Sequence, residues 1–118
     1  MKTFKDVIAW QKAYQLTLLI YKYTRNFPKN EEFGLKSQIR RATVSIISNI
    51  AEGFKRNGKS DQLRFYNTAQ SSLEEVKCQI MLSYDLGYFE NSKYVELDKL
   101  SDEVGRVLYG WIQSQKNG

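Results

Sequence analysis

At 118 residues, 42% hydrophobic and 14% aromatic, the chain suits one domain with its own core and excludes a wholly disordered polymer. It has no histidine and a single cysteine, which removes the commonest general acid/base, the commonest zinc ligand and any disulfide framework within the chain. A net charge of +5 leans toward an anionic partner.

The N-terminus, Met1-Lys2-Thr3-Phe4-Lys5-Asp6, is charged and has no apolar signal segment behind it. The longest apolar run, Leu18-Leu19-Ile20-Tyr21, is far shorter than the ~20 residues of a membrane span, so a soluble cytoplasmic protein is expected. Helical periodicity then runs through the chain without strand alternation. A first helix is predicted over about 6–25, with Val7, Trp10, Ala13/Tyr14, Thr17, Ile20/Tyr21 and Thr24 on one face, stopping before Pro28. A second is predicted over 31–54, carrying Leu35, Ile39, Ala42, Ile46, Ile50 and Gly53, with Gly53 and the basic turn after it as stop signals. A third, over 60–86, opens on Ser60 and carries Tyr66, Ala69, Leu73, Val76, Ile80 and Tyr84 up to Gly87. A fourth, over 92–114, uses Leu97, Leu100, Val104, Val107/Leu108 and Trp111. Amphipathic helices joined by short turns predict an all-α, antiparallel, up-down-up-down four-helix bundle in a single domain.

The first two helices carry more apolar surface than one core stripe requires. Ile8, Leu16, Leu19 and Tyr23 fall opposite the Trp10 face, and Ile47 and Phe54 widen the apolar arc of the second helix. Scattered exposed apolar residues are ordinary, but contiguous patches mark interaction sites, so these six residues predict a homo-oligomer interface. The third and fourth helices read as single, tidier stripes.

Charge is uneven along the chain. Residues 36–64 hold Lys36, Arg40, Arg41, Lys55, Arg56, Lys59 and Arg64 against Glu52 and Asp61, which accounts for the whole excess. Residues 74–103 lean acidic, with eight acids against Lys77, Lys93 and Lys99. The seven cations are the candidate nucleic-acid contacts, made to phosphates and indifferent to base sequence. On the second helix Arg41, Ser45, Ser48/Asn49 and Glu52 form a polar stripe. Short Ser and Asn side chains are mediocre helix formers, so the stripe is either a hydrogen-bonded network across a helix or subunit contact, with Arg41 offsetting Glu52, or a phosphate-binding set.

The block from Gln38 to Gly53, together with Phe4-Lys5-Asp6-Val7, Trp10-Gln11-Lys12-Ala13, Phe27-Pro28, Glu32-Phe33-Gly34-Leu35, Ser71-Ser72-Leu73-Glu74-Glu75 and Leu86-Gly87-Tyr88, resembles the bacterial 23S ribosomal RNA intervening sequence proteins. The resemblance covers nearly the whole chain. Ile47 departs from it, standing where members often carry Pro or a small residue. The resemblance implies an antiparallel bundle assembling into rings, typically pentamers. It implies no cofactor and no settled biochemical role. Accessory proteins of diversity-generating retroelements, which bind nucleic acid and a reverse transcriptase, are similar in fold, and Glu103 to Leu108 with Trp111-Ile112 is similar to their last helix.

Nucleic-acid association, with ribosomal or other structured RNA, is therefore the leading expectation. A protein scaffold or adaptor for a reverse transcriptase or ribosome-associated factor is the alternative, using the acidic segment and Tyr84, Tyr88, Phe89 and Tyr94. Catalysis is not expected: Ser45 and Ser48 have no histidine to activate them, and no metal ligand set is apparent. Cys78 falls beside the third helix's stripe and reads as a half-buried structural thiol.

Overall fold

The apolar spacing becomes four helices, α1 (Ile8–Tyr23), α2 (Leu35–Lys55), α3 (Lys59–Asp85) and α4 (Asn91–Asn117), with no strand. The computed structural model describes residues 1–118. α1 and α3 each pack on α2 and α4 and lie diagonally with no close backbone approach, so the chain runs up, down, up and down in an antiparallel bundle of 44 × 25 × 21 Å. No helix is long and apolar enough to cross a membrane.

Helix ends depart from the periodicity for local reasons. Residues Phe4–Asp6 form a 3-10 turn before α1. Its cap is reciprocal: the Thr3 hydroxyl accepts from the Lys5 amide at 3.2 Å, and the Asp6 carboxylate accepts from the Thr3 and Lys2 amides at 3.1 and 2.8 Å. Those two N–H groups, Thr3's above all, hold the Asp6 carboxyl below its ordinary range. α2 begins at Leu35, later than expected, because Lys29–Glu31 first forms a separate 3-10 turn and Gly34 is the N-cap residue. Glu31 Oε1 accepts from the Leu35 amide at 3.1 Å, and Oε2 accepts from the Tyr88 hydroxyl at 2.9 Å. A Cβ on Gly34 would lie 2.7 Å from that carboxylate, so a larger residue there would displace the Glu31 side chain from this arrangement. α3 ends in a Schellman turn, with Gly87 at φ 83° and the Tyr88 amide donating to the Ser83 carbonyl at 2.8 Å.

The core is continuous through all four helices. The predicted stripe of α2 is buried whole, and Tyr66, Ala69, Leu73, Val76 and Ile80 of α3 meet Leu97, Val104, Leu108 and Ile112 of α4. In α3, Ser83 is buried where Tyr84 was expected, and Tyr84 instead stacks on Tyr94 at 4.1 Å. On α1 the expected residues Val7, Ala13, Thr17, Ile20 and Thr24 are buried, but the face is shifted: Ala9 and Leu16 join it, Trp10 is half-buried, and Tyr14 and Tyr21 are exposed. Apolar residues flank that face on both sides, so periodicity gave its centre but not its edges. Thr17 enters the core satisfied, donating to the Ala13 carbonyl at 2.8 Å and meeting the Thr43 hydroxyl at 3.0 Å.

Candidate nucleic-acid interface and family motif

The basic segment does not form one patch. Arg41 and Lys55 lie 14 residues apart on a continuous helix, about 21 Å at 1.5 Å per residue. Lys36, Arg40 and Arg41 sit at the start of α2, while Lys55, Arg56, Lys59 and Arg64 surround the α2–α3 turn at the other end.

Most of these cations already have partners. Lys36 pairs with Glu32 at 3.1 Å, with only 13% of its side chain exposed. Arg40 donates to the Thr24 hydroxyl at 2.9 Å and the Tyr21 carbonyl at 3.0 Å, and lies 4.5 Å over the Tyr21 ring. It thereby covers a carbonyl that the end of α1 would leave open, and it is a packing residue rather than a free cation. At the turn, Asp61 gathers Arg64 (2.8 Å) and Arg56 (3.7 Å), Arg56 also reaches Glu52 (3.1 Å), and both guanidiniums lie 4.5 Å from the Phe65 ring. Lys59 donates to the carbonyls of Lys116 (3.2 Å) and Gly118 (2.6 Å), closing the end of α4. Arg41 and Lys55 are exposed and make no ion pair. The turn cations remain on the surface together, so this end is the stronger candidate for an anion.

The polar stripe divides in two. Ser45 meets Ser72 of α3 at 2.8 Å, and the Asn49 amide donates to the Ser45 carbonyl at 2.8 Å and hydroxyl at 3.0 Å. These three groups form a half-buried network between α2 and α3. Arg41, Ser48 and Glu52 face solvent. Arg41 cannot offset Glu52, which stands three turns away and pairs with Arg56.

Gly53 is not a helix stop, since α2 continues to Lys55. A Cβ there would lie 2.5 Å from Tyr66 Cε1 and 3.2 Å from the Gln62 carbonyl. Its absence lets the Tyr66 ring lie directly on the α2 backbone. The Tyr66 hydroxyl and the Trp111 indole N–H are both buried without a well-formed hydrogen bond. Burial pushes the Tyr66 phenol up, opposed only in part by Trp111. Apolar spacing along one helix carries no trace of this close approach between two.

The chain matches the family model for the 23S rRNA-intervening sequence protein over residues 5–110. It belongs to that family. The intervening-sequence fold is also seen in a solved structure from Bacteroides thetaiotaomicron VPI-5482, described as a protein of unknown function from the S23 ribosomal protein family. That structure has a TM-score of 0.81 and 23% identity, covering 92% of this chain and 98% of the other, and so establishes the fold alone. No curated protein matches this chain.

In this intervening-sequence protein the six expected interface residues separate. Leu16 is fully buried in the monomer core, so it is no interface residue. Leu19, Tyr23, Ile47 and Phe54 are half-buried against the core, with the Tyr23 hydroxyl donating to Glu96. That bond, ahead of burial, raises the Tyr23 phenol, as the Glu31 bond raises Tyr88. Ile8 stays exposed, joined on α1 by Tyr14, Leu18 and Tyr21. α3 is less tidy than expected: Met81, Leu82 and Leu86 are about half exposed, and Cys78 is exposed beside them. The aromatics at the bundle end are packed, with Phe27 5.1 Å from Tyr88 and 5.2 Å from Phe89.

Proposed function

We propose that this intervening-sequence protein is a non-catalytic bundle that assembles with copies of itself and holds nucleic acid, of the structured RNA type, on its α2–α3 end. The observation that carries the reading is the convergence there of Lys55, Arg56, Lys59 and Arg64, with only Glu52 and Asp61 interspersed. Each subunit brings a small excess of positive charge on a rigid turn. A ring of copies, as the family resemblance implies, multiplies it without any new contact. Guanidiniums held by Asp61 over Phe65 are pre-oriented for phosphate oxygens, and such contacts fix position without reading base sequence.

The hydroxyls of the polar stripe support a binding role over a catalytic one. Ser45 faces Ser72 and Asn49, neither of which is a base. The test is the affinity of the assembled protein for a structured RNA hairpin across a salt series. Binding should weaken log-linearly with salt, and Lys55→Ala with Arg56→Ala should lower both the affinity and the slope. No binding at low salt, or a slope indifferent to these substitutions, rules the reading out.

A further inference from the structure

The residues that join α2 to α3 are Arg56, Asn57 and Gly58. An asparagine followed by glycine is open to attack on its own side chain. The amide nitrogen of the next residue closes a five-membered ring on Cγ, and glycine has no Cβ to obstruct it. A fold ordinarily prevents this by engaging that amide in a hydrogen bond or by holding the backbone in a helix. Neither restraint acts here. The Asn57 and Gly58 amides donate to nothing, and the Asn57 carboxamide is exposed and unbonded. The backbone is extended on both sides, with Arg56 at φ −69°, ψ 151° and Gly58 at φ −107°, ψ 143°. A Cβ on Gly58 would meet no atom within 4 Å, so the space around it is open. Other asparagines are restrained. Asn49 and Asn67 lie inside helices, and the Asn91 carboxamide accepts from the Tyr84 hydroxyl at 3.0 Å. Asn26 and Asn30 precede Phe27 and Glu31, whose amides donate to the Thr24 and Pro28 carbonyls. In the second Asn-Gly pair, Asn117 ends α4 and the Gly118 amide donates to the Gln115 carbonyl at 3.4 Å.

The surroundings favour ring closure as well as permitting it. Attack requires the Gly58 nitrogen to lose its proton, and the anion so formed lies beside Lys55, Arg56 and Lys59 and at the positive end of α3. Glu52 and Asp61 line the same hollow, but both are paired with Arg56. In the first step the Gly58 nitrogen bonds to Asn57 Cγ and its proton passes to solvent. The Cγ–Nδ2 bond breaks and ammonia leaves. Water then opens the succinimide at one of its two carbonyls, giving aspartate or, with the chain rerouted through Cγ, iso-aspartate. Nothing is oxidised or reduced, and water is the one co-reactant. Either product carries a carboxylate where a neutral amide stood.

We propose that Asn57-Gly58 is a modification site, at which spontaneous deamidation places a carboxylate among the cations of the α2–α3 turn. Lys55, Arg56, Lys59 and Arg64 outnumber Glu52 and Asp61 there by two, and the new carboxylate halves that excess. The change runs one way, so the hold of this end on anions weakens as the molecule ages. The modification stands on its own geometry, and its effect on RNA rests on the proposed function. The full chain is incubated at neutral pH and followed by mass, peptide mapping and elution from a cation exchanger. The mass gain of an NH2-to-OH exchange, mapped to Asn57 and accompanied by elution at lower salt, is expected within several-fold of the rate in urea. Gly58→Ala, which the open space accommodates, should slow it many-fold with circular dichroism unchanged. An Asn57 that keeps its amide while the urea-unfolded chain converts overturns the site, as does a rate indifferent to Gly58→Ala. Aged protein and Asn57→Asp should each bind a structured RNA hairpin several-fold more weakly than fresh protein, with a shallower salt dependence. Equal affinity overturns the effect on binding and leaves the site standing. Fresh protein that binds no RNA at low salt overturns the proposed function instead, and mass and elution still decide the modification.

Discussion

Gly53 carries the most local of the structural requirements. Apolar spacing places it in the core stripe of α2, and its position near a basic turn suggests a helix terminator. Its role is instead steric, because Tyr66 occupies the space a side chain would need. The ring is fully buried and cannot swing away, so Gly53→Ala is expected to cost about 1–3 kcal/mol, in the range of core overpacking. Chemical denaturation checks this, and the penalty should shrink on a Tyr66→Leu background; an unaltered midpoint for Gly53→Ala refutes the steric reading. Arg40 shows the opposite lesson. In sequence it is a cation in a basic run, and in the fold it is a bridge from α2 to the Tyr21 carbonyl and ring and the Thr24 hydroxyl at the end of α1.

Among the helices, α2 does the most to organise the bundle because its two flanks differ. One flank puts Thr43 against Thr17 and Arg40 against Tyr21 and Thr24 of α1. The other puts Ser45 and Asn49 toward Ser72 of α3. Two short hydroxyls meeting at 2.8 Å need their helices close and in one register, which is how a polar pair adds specificity to apolar packing. Ser45→Ala and Ser72→Ala should each destabilise by about 1 kcal/mol, with less than additive loss in the double variant. Full additivity in a double-mutant cycle would mean that the hydrogen bond contributes nothing. The helix-level pattern was legible for α2, whose inward residues stand at unambiguous spacings, and for α3 from Tyr66 to Ile80. It was less so for α1 and α4, where Trp10, Leu100 and Trp111 stay half-buried while Leu16, Ser101 and Ile112 take places in the interior, an exchange settled only by the neighbours they meet.

For the molecule as a whole, pH and charge distribution have separable consequences. The Tyr66 phenol is raised above its ordinary value of 10.0 by burial. Its neutral form therefore contributes stability in full below about pH 10, the unfolded-state value. That contribution is lost as pH rises through the higher folded-state value, because the unfolded chain releases the proton more readily. Tyr66→Phe should leave stability at pH 7 nearly unchanged, since the hydroxyl has no well-formed partner, and should move the alkaline unfolding midpoint to higher pH. An alkaline midpoint that does not move shows that Tyr66 is not the group responsible. The charge count has also changed meaning at this scale. One basic segment becomes two clusters at opposite ends of α2, the first engaged largely in packing and the second grouped at the turn.

By itself the sequence determined the helices, their antiparallel order and the family, because hydrophobic period, turn residues and a contiguous motif are properties of neighbouring positions. The tertiary structure alone decided that Tyr14 and Tyr21 stay outside and Leu16 is core, what Gly53 makes room for, and which cations remain available. Each of those depends on a partner from another helix. Burial and charge pairing are set by distances across the bundle, which no local spacing encodes.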